Sequence, residues 1–302
     1  MQKALIIGCG KIAGGFNTGP DDTMVLTHAL AYTRHPQFEI AGIVDPNCNA
    51  RESFAAKWGV PTTFGHLTES AVRGIGIASV CTPTHTHIDI LEQLLETDIP
   101  KVFCEKPLGG DPVKAKAIAE KYQKAGKALA VNFTRRWDRS MVELRDEIAS
   151  GAWGELRNIV GWYSRGVMNN GTHMIDLVSF LCGATVGPVS PSVKRVIDDN
   201  PGDPTVSAGL NVRGVPFALV ACDGRDYARF ELTLTFSKAV IEILEGGLYT
   251  RRRAKMPSAI FPSSFIAIER PRRATKYGEA MLRALDELAI WEPGSRLSSD
   301  AF

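Results

Sequence analysis

Through the first 134 residues, short apolar runs alternate with helix-like stretches, and this rhythm restricts the chain more than any other feature. The runs lie at 3–7, 38–44, 62–64, 78–81, 101–104 and 128–133. Several are apolar throughout, as strands must be when helices cover both faces of a parallel sheet. Asp111-Pro112 reads as an N-cap followed by proline at the first helical position, and Gly126 stops that helix. Further helices are expected at 49–58, ended by Gly59, and at 27–34, ended before Pro36. Six strand–helix alternations predict a doubly wound Rossmann sheet.

The rhythm changes after about residue 134. A helix at 138–150 and an alternating strand at 155–165 precede a helix at 171–181 that stops at Gly183. Hairpin signals follow. Phe230, Leu232, Leu234 and Phe236 alternate strictly before a turn at Ser237-Lys238, and Arg213-Gly214 marks another turn. A late amphipathic helix is expected at 277–289. The α/β reading is an N-terminal Rossmann domain over 1–134, then a C-terminal α+β domain over 135–302 with a mostly antiparallel sheet. The 302 residues suffice for two cores. Near-balanced charge (35 Lys+Arg, 33 Asp+Glu) gives no case for a nucleic-acid or anionic-membrane binder. No apolar run approaches a membrane span. Six scattered cysteines without a Cys-x-x-Cys pair fit reduced thiols in a cytoplasmic protein.

Gly8-Cys9-Gly10-Lys11-Ile12-Ala13-Gly14 follows the first strand. Gly8 permits a tight turn, and Gly10 lets the backbone approach a pyrophosphate held by helix N-terminal amides. Lys11 and Ile12 complete this candidate dinucleotide loop. Asp45 closes the second strand and has two readings. It accepts hydrogen bonds from the ribose of NAD while repelling the extra phosphate of NADP, or it caps the Asp-Pro-Asn turn. It stands 37 positions after Gly8, against about 20 in the fingerprint, so residues 16–26 read as a loop inserted in the first crossover.

Thr82-Pro83 with His87 follows the fourth strand, Glu105-Lys106-Pro107 follows the fifth, and Asn132 to Asp138 forms the domain junction. With Gly8, Gly10, Asp45 and a helix bearing His173 and Asp176, these motifs resemble the glucose–fructose oxidoreductase, inositol dehydrogenase and rhizopine catabolism family. The resemblance implies that Lys106 relays a proton during hydride transfer, with His173 hydrogen-bonding the reacting hydroxyl. It extends a cis peptide to Pro107. It puts Thr82, Pro83, His87 and Glu105 beside the cofactor, and Arg136 and Trp137 at the cofactor–substrate boundary, though Trp137 equally reads as core. His173 and Asp176 lie three apart and share a helix face, so Asp176 orients His173 or caps the first turn. The family's many aspartates four residues before the histidine become Asn169 here, as in its sugar-nucleotide branches. Tyr163 and Arg165 alternate onto one face of the preceding strand, where an arginine grips a phosphate or simply faces water. Basic clusters at 251–255 and 270–273 read as solvated faces or a diphosphate site.

The combined expectation is an NAD-dependent oxidoreductase, with NADP less favoured, acting on a secondary alcohol of a sugar, first a nucleotide-linked one. Free-sugar or cyclitol dehydrogenases and a non-catalytic dinucleotide sensor are its rivals. The resemblance also implies homodimers or homotetramers, and the cysteines and remaining histidines show no metal-ligand spacing. The ending at Phe302 is short for the family, which usually adds a final helix.

Overall fold

Residues 1–198, 200, 202–256, 272–273 and 277–297 are described by a computed structural model. The chain forms two compact units, one taking Met1–Trp137 with the last helix, the other starting at Asp138.

In the first unit, β1 (Gln2–Ile7), β2 (Phe38–Val44), β3 (Thr63–Phe64), β4 (Ile77–Val80), β5 (Lys101–Cys104) and β6 (Ala128–Val131) form a parallel sheet ordered β3-β2-β1-β4-β5-β6. The order reverses between β1 and β4, the switch point at which open α/β sheets bind ligands. Alternate side chains feed opposite faces, as strand pleating requires. Ala4 and Ile6 join a core with α1 (His28–Arg34) and α2 (Cys48–Trp58), while Leu5 and Ile7 join one with α4 (His87–Leu95) and α5 (Pro112–Lys124); α3 (Glu69–Val72) lies on the latter side. The helix ends follow their sequence signals. Asn47 and Asp111 accept hydrogen bonds from first-turn amides, and Gly59 takes φ 66 at the end of α2.

The second unit pairs helices α6 (Arg139–Ala149) and α7 (Thr172–Cys182) with one face of a mixed sheet. Its strands are β7 (Leu156–Tyr163), β8 (Val186–Ile197), β9 (Thr205–Val212), β10 (Val215–Ala221), β11 (Phe230–Phe236), β12 (Ala239–Leu244), β13 (Tyr249–Ala254) and β14 (Arg272–Arg273), ordered β14-β13-β12-β11-β7-β10-β9-β8. Among the described residues only the β7–β10 pair is parallel. Both expected two-residue hairpins form. At Arg213-Gly214 both residues take positive φ (51 and 84), which suits the right-handed strand twist.

Two expectations need correction. A boundary at 134 with everything later in one domain fails, because α8 (Tyr277–Ile290) packs with the first unit. Its Ala280, Met281, Ala284, Leu285 and Leu288 enter the α1 side of the Rossmann core, and Trp137 joins them. Gln2 Nε2 donates to Ala289 O at 2.9 Å, and His35 Nε2 lies 3.0 Å from Asp286. An amphipathic stripe announces burial without naming its partner. The strand drawn to Arg165 ends at Tyr163: Ser164 N donates to Arg229 O, and Arg165 then turns to φ 68, exposed and outside the sheet alternation. No helix among the described residues is long and apolar enough to cross a membrane.

Candidate active site

The glycine loop is built by close approach of β1 to β4. Cys81 N donates to Ile7 O at 2.8 Å, so the two strand ends run side by side. Gly8 takes φ +94, and a Cβ there would meet Cys81 O at 2.9 Å, so only glycine passes. Around Gly10 only Cys81 O comes within 4 Å of such a Cβ, leaving room for a ligand to approach the backbone. The helix expected directly after this loop is replaced by a five-residue π-helical turn, Lys11–Gly15, with Lys11 exposed and Ile12 half-buried. A loop at 16–26 follows, and α1 starts only at His28, capped by Thr27. The buried Asn17 organises that loop, binding Asp22, Met24 O, Leu26 N and Thr27, while Lys57 Nζ binds Gly14 O and Asn17 O. The insertion therefore has its own polar core, which explains how it lengthens the crossover without disturbing the sheet.

Asp45 takes its capping role and also reaches the glycine loop. Oδ1 accepts from Asn47 N at 2.9 Å, capping the turn, and Oδ2 accepts from Cys9 N at 2.8 Å, tying the β2 end to the glycine loop. A carboxylate has about four acceptor sites, so capacity remains for ribose hydroxyls. Burial, then the Asp45 charge, push the Cys9 thiol up to about 12, which keeps a thiolate out of the glycine loop. A glycine cradle, open space over Gly10 and an acid at the β2 end fit NAD.

After β4, Thr82 is half-buried and Pro83 exposed. His87 is buried, not turned to a cofactor: its Nδ1 lies 2.9 Å from Pro107 O and its Nε2 2.8 Å from Thr82 O. It ties the Thr82-Pro83 loop to the loop after β5. There Lys106 is half-buried and its peptide to Pro107 is cis. Glu105 also departs from expectation. Its carboxylate is buried beneath the loop, where Oε1 accepts from Asn132 Nδ2 at 2.7 Å and meets His28 Nε2 at 2.9 Å. Burial alone would raise its pKa. The hydrogen bond and electrostatic pull of His28, the Asn132 bond and the Lys106 charge outweigh that and hold it below the ordinary carboxylate range. His28, Ser79 and Tyr32 were not among the sequence expectations, and Asn132 was read only as the start of the domain junction. His28 lacks metal spacing and stands behind the inserted loop, and the only hint was its four-residue spacing from Tyr32 on one helix face.

Of the two junction residues, Arg136 is buried, and Trp137 lies in the first unit's core, the second of its two readings. In the second unit, Tyr163 is fully buried, and its hydroxyl donates to Val206 O and accepts from Val206 N. It holds β9, so the expected substrate contact is corrected to a core role. Arg165 is exposed in the left-handed region. The turn Gly166–Gly171 runs straight into α7, presenting Asn169 exposed and His173 and Asp176 half-buried. Asp203 organises this turn from 34 residues away, Oδ1 accepting from Met168 N at 2.8 Å and Oδ2 from Asn169 N at 3.0 Å. The arginines of β13 are ion-paired: Arg251 and Arg253 with Glu242, Arg252 with Glu147. The cluster at 270–273 lies outside the described residues, apart from the backbone of Arg272–Arg273. No cluster of potential metal ligands occurs among the described residues.

Residues 2–133 match the family model described as an oxidoreductase family with an NAD-binding Rossmann fold. The chain is 27% identical over 190 residues to inositol 2-dehydrogenase of Rhizobium meliloti, covering 58% of this chain and 57% of that protein. It is 25% identical over 218 residues to D-glucoside 3-dehydrogenase of Escherichia coli, covering 64% and 56% respectively. Its matches thus span little more than half the length of these relatives. Aldose-aldose oxidoreductase from Caulobacter crescentus, crystallised with glycerol, superposes with a TM-score of 0.73 at 16% identity, over 95% of this chain and 88% of that one, a likeness of fold. The likeness to this oxidoreductase family and to its inositol dehydrogenase relative thus rests on the NAD-binding part of the chain.

Proposed function

We propose that the chain is an NAD-dependent oxidoreductase acting on a secondary alcohol of a free sugar or cyclitol. The observation that carries this reading is Lys106, half-buried at the carboxyl end of β5, one strand from the switch point between β1 and β4. NAD, when bound, supplies the hydride acceptor. Lys106 Nζ takes the hydroxyl proton as the carbinol becomes a carbonyl, and returns it in the reductive direction. Gly8 and Gly10 admit the pyrophosphate to the backbone, and Asp45 takes ribose hydroxyls and opposes a 2′-phosphate. From the second unit, His173 is assigned to hydrogen-bond the reacting oxygen, Asn169 to bind the sugar, and Asp176 to orient His173.

Relatives named for inositol and glucosides support the free-sugar reading, as do the β13 arginines, already paired to carboxylates. Asn169 supports the alternative, a nucleotide-linked sugar. The half-exposed outer side chains of the second sheet, Val160, Trp162 and Val220 among them, support self-association as a homodimer or homotetramer.

The test follows nicotinamide absorbance with NAD and, in turn, myo-inositol, methyl glucosides and nucleotide sugars. Reduction with a polyol or glycoside is expected. Reduction with nucleotide sugars alone moves the substrate to the alternative, and bound NAD with no turnover on any class favours a sensor.

A further inference from the structure

Lys106 stands between two neighbours that the fold holds from opposite sides. On one side is Glu105, whose backbone N–H continues the β4–β5 ladder onto Val80 O at 2.9 Å. Its side chain ends a buried chain of polar groups: Tyr32 hydroxyl to Ser79 Oγ at 2.7 Å, Ser79 Oγ to His28 Nδ1 at 3.0 Å, His28 Nε2 to Glu105 Oε1 at 2.9 Å. Tyr32, His28 and Ser79 are all buried from water. The Nε2 hydrogen goes to the carboxylate, and the Ser79 and Tyr32 hydroxyls, each donor and acceptor, turn to complete the chain at Nδ1. Glu105 Oε2 then remains for the Lys106 backbone N–H, at 3.3 Å. On the other side, Pro107 O lies 2.9 Å from the His87 ring.

A Rossmann sheet has no need of this network to fold. A buried carboxylate costs several kcal/mol before its partners compensate, and well-packed apolar residues fill such space at least as stably. What a fully satisfied polar network provides, and an apolar one does not, is a single orientation. The groups facing Glu105 support a fixed anion. Cys81 and Cys104 have thiol pKa values raised well above ordinary by burial and then the Glu105 charge, so they stay neutral, and the groups that hold its charge are His28, Asn132 and Lys106.

We propose that His28 and His87 are positioning residues that clamp the Glu105-Lys106-Pro107 segment from its two sides, His28 through the Glu105 carboxylate and His87 through the Pro107 carbonyl. The catalytic consequence rests on Lys106 being the proton relay. The clamp itself does not, and it is read without substrate.

The experiment is hydrogen–deuterium exchange by mass spectrometry on the full chain with saturating NAD, comparing peptides over 104–108 with a control over β1. His28→Ala should speed exchange at 104–108 by about tenfold or more, the scale of a lost buried hydrogen bond. His28→Gln keeps a donor toward Glu105 and an acceptor toward Ser79, and should return exchange to within about threefold of the native chain. His87→Ala should loosen the same peptides. Tyr32→Phe, a milder change that keeps the core filled, should give a smaller increase in the same place. Native exchange in His28→Ala overturns the proposal. So does His28→Gln exchanging as fast as His28→Ala while β1 stays protected. Where turnover is measured, kcat should fall in the order of exchange with KM for NAD unchanged. Full turnover by Lys106→Ala would remove the proton-relay reading and leave the exchange result standing. An inactive Lys106→Ala beside a fully active, fast-exchanging His28→Ala would overturn the catalytic consequence of the clamp.

Discussion

In the first unit Lys106 follows by one residue the last ladder bond of β5, from Glu105 N to Val80 O, with a buried polar network beneath it. In the second, Asn169 and His173 ride on a turn and helix outside the sheet, and the turn depends on one carboxylate, Asp203, capping two of its amides. The ladder fixes Cys104 and Glu105 from both sides, so Lys106 starts from a position that the sheet sets. A turn beyond a strand has no ladder, and its geometry is only as firm as the side chain that caps it. Damage to the first site should therefore be chemical, and damage to the second should be a matter of order.

The largest expected effect tests the chemical half. Lys106→Ala should lower turnover by about two to four orders of magnitude while NAD still binds, since a positioned acid–base group contributes on that scale. Calorimetric titration with NAD alongside kcat separates the two. Undiminished turnover breaks the comparison at its root.

Next come variants of the turn. Asp203→Ala should leave two amides of the turn short of their acceptor, costing about 1–3 kcal/mol in denaturant unfolding and raising substrate KM with NAD affinity unchanged. Gly166→Ala should also destabilise, because Gly166 sits at φ +90 and the Asp203 carboxylate occupies the place where a Cβ would stand. If either variant alters NAD binding as much as substrate binding, the division of labour is wrong.

What could be read beforehand divides along the same line. The strands of the first unit, the Asp111-Pro112 start, and the hairpin turns at Ser237-Lys238 and Arg213-Gly214 were legible because each rests on local chemistry: apolar runs, caps and turn residues. Asp203 was not, because a cap supplied from another element leaves no mark beside the turn it serves. His28 was hidden by the loop at 16–26, which separates it from the glycine motif. Arg165 was misplaced by extending a two-residue alternation past the last ladder bond. Tyr163 looked like a ligand contact and is core, and Trp137 takes the core half of its two readings, since an aromatic ring with a polar tip reads alike in both roles. The partner of α8 was beyond local patterns altogether.

A pH experiment sharpens the contrast further. Because the folded pKa of Glu105 lies below its unfolded value of about 4.3, its ionised form stabilises the native state above that pH, and the contribution is lost as pH falls through the folded value. Denaturant unfolding between roughly pH 7 and 3 should therefore show a shallower acid loss in Glu105→Gln, by up to about 1.4 kcal/mol per pH unit over the range where this one proton is taken up. An unchanged acid slope would mean that Glu105 is not the buried anion of the first unit.

The smallest expected effect decides between substrates. Arg251 Nε and Nη2 reach Glu242 at 2.6 and 2.7 Å, and Arg253 lies 3.1 Å from the same carboxylate. Hydrogen bonding to Arg251 holds Glu242 below the ordinary carboxylate range against its partial burial, and in return raises the arginine. A diphosphate recruiting Arg251 would have to displace this two-pronged pair, giving up one charge-assisted contact for another. A free sugar asks nothing of it. Arg251→Ala should thus change KM for a polyol by less than about twofold. A tenfold rise confined to nucleotide sugars would instead mean that the β13 arginines hold a phosphate, and would give the second unit a charged binding surface to set against the neutral amide of Asn169.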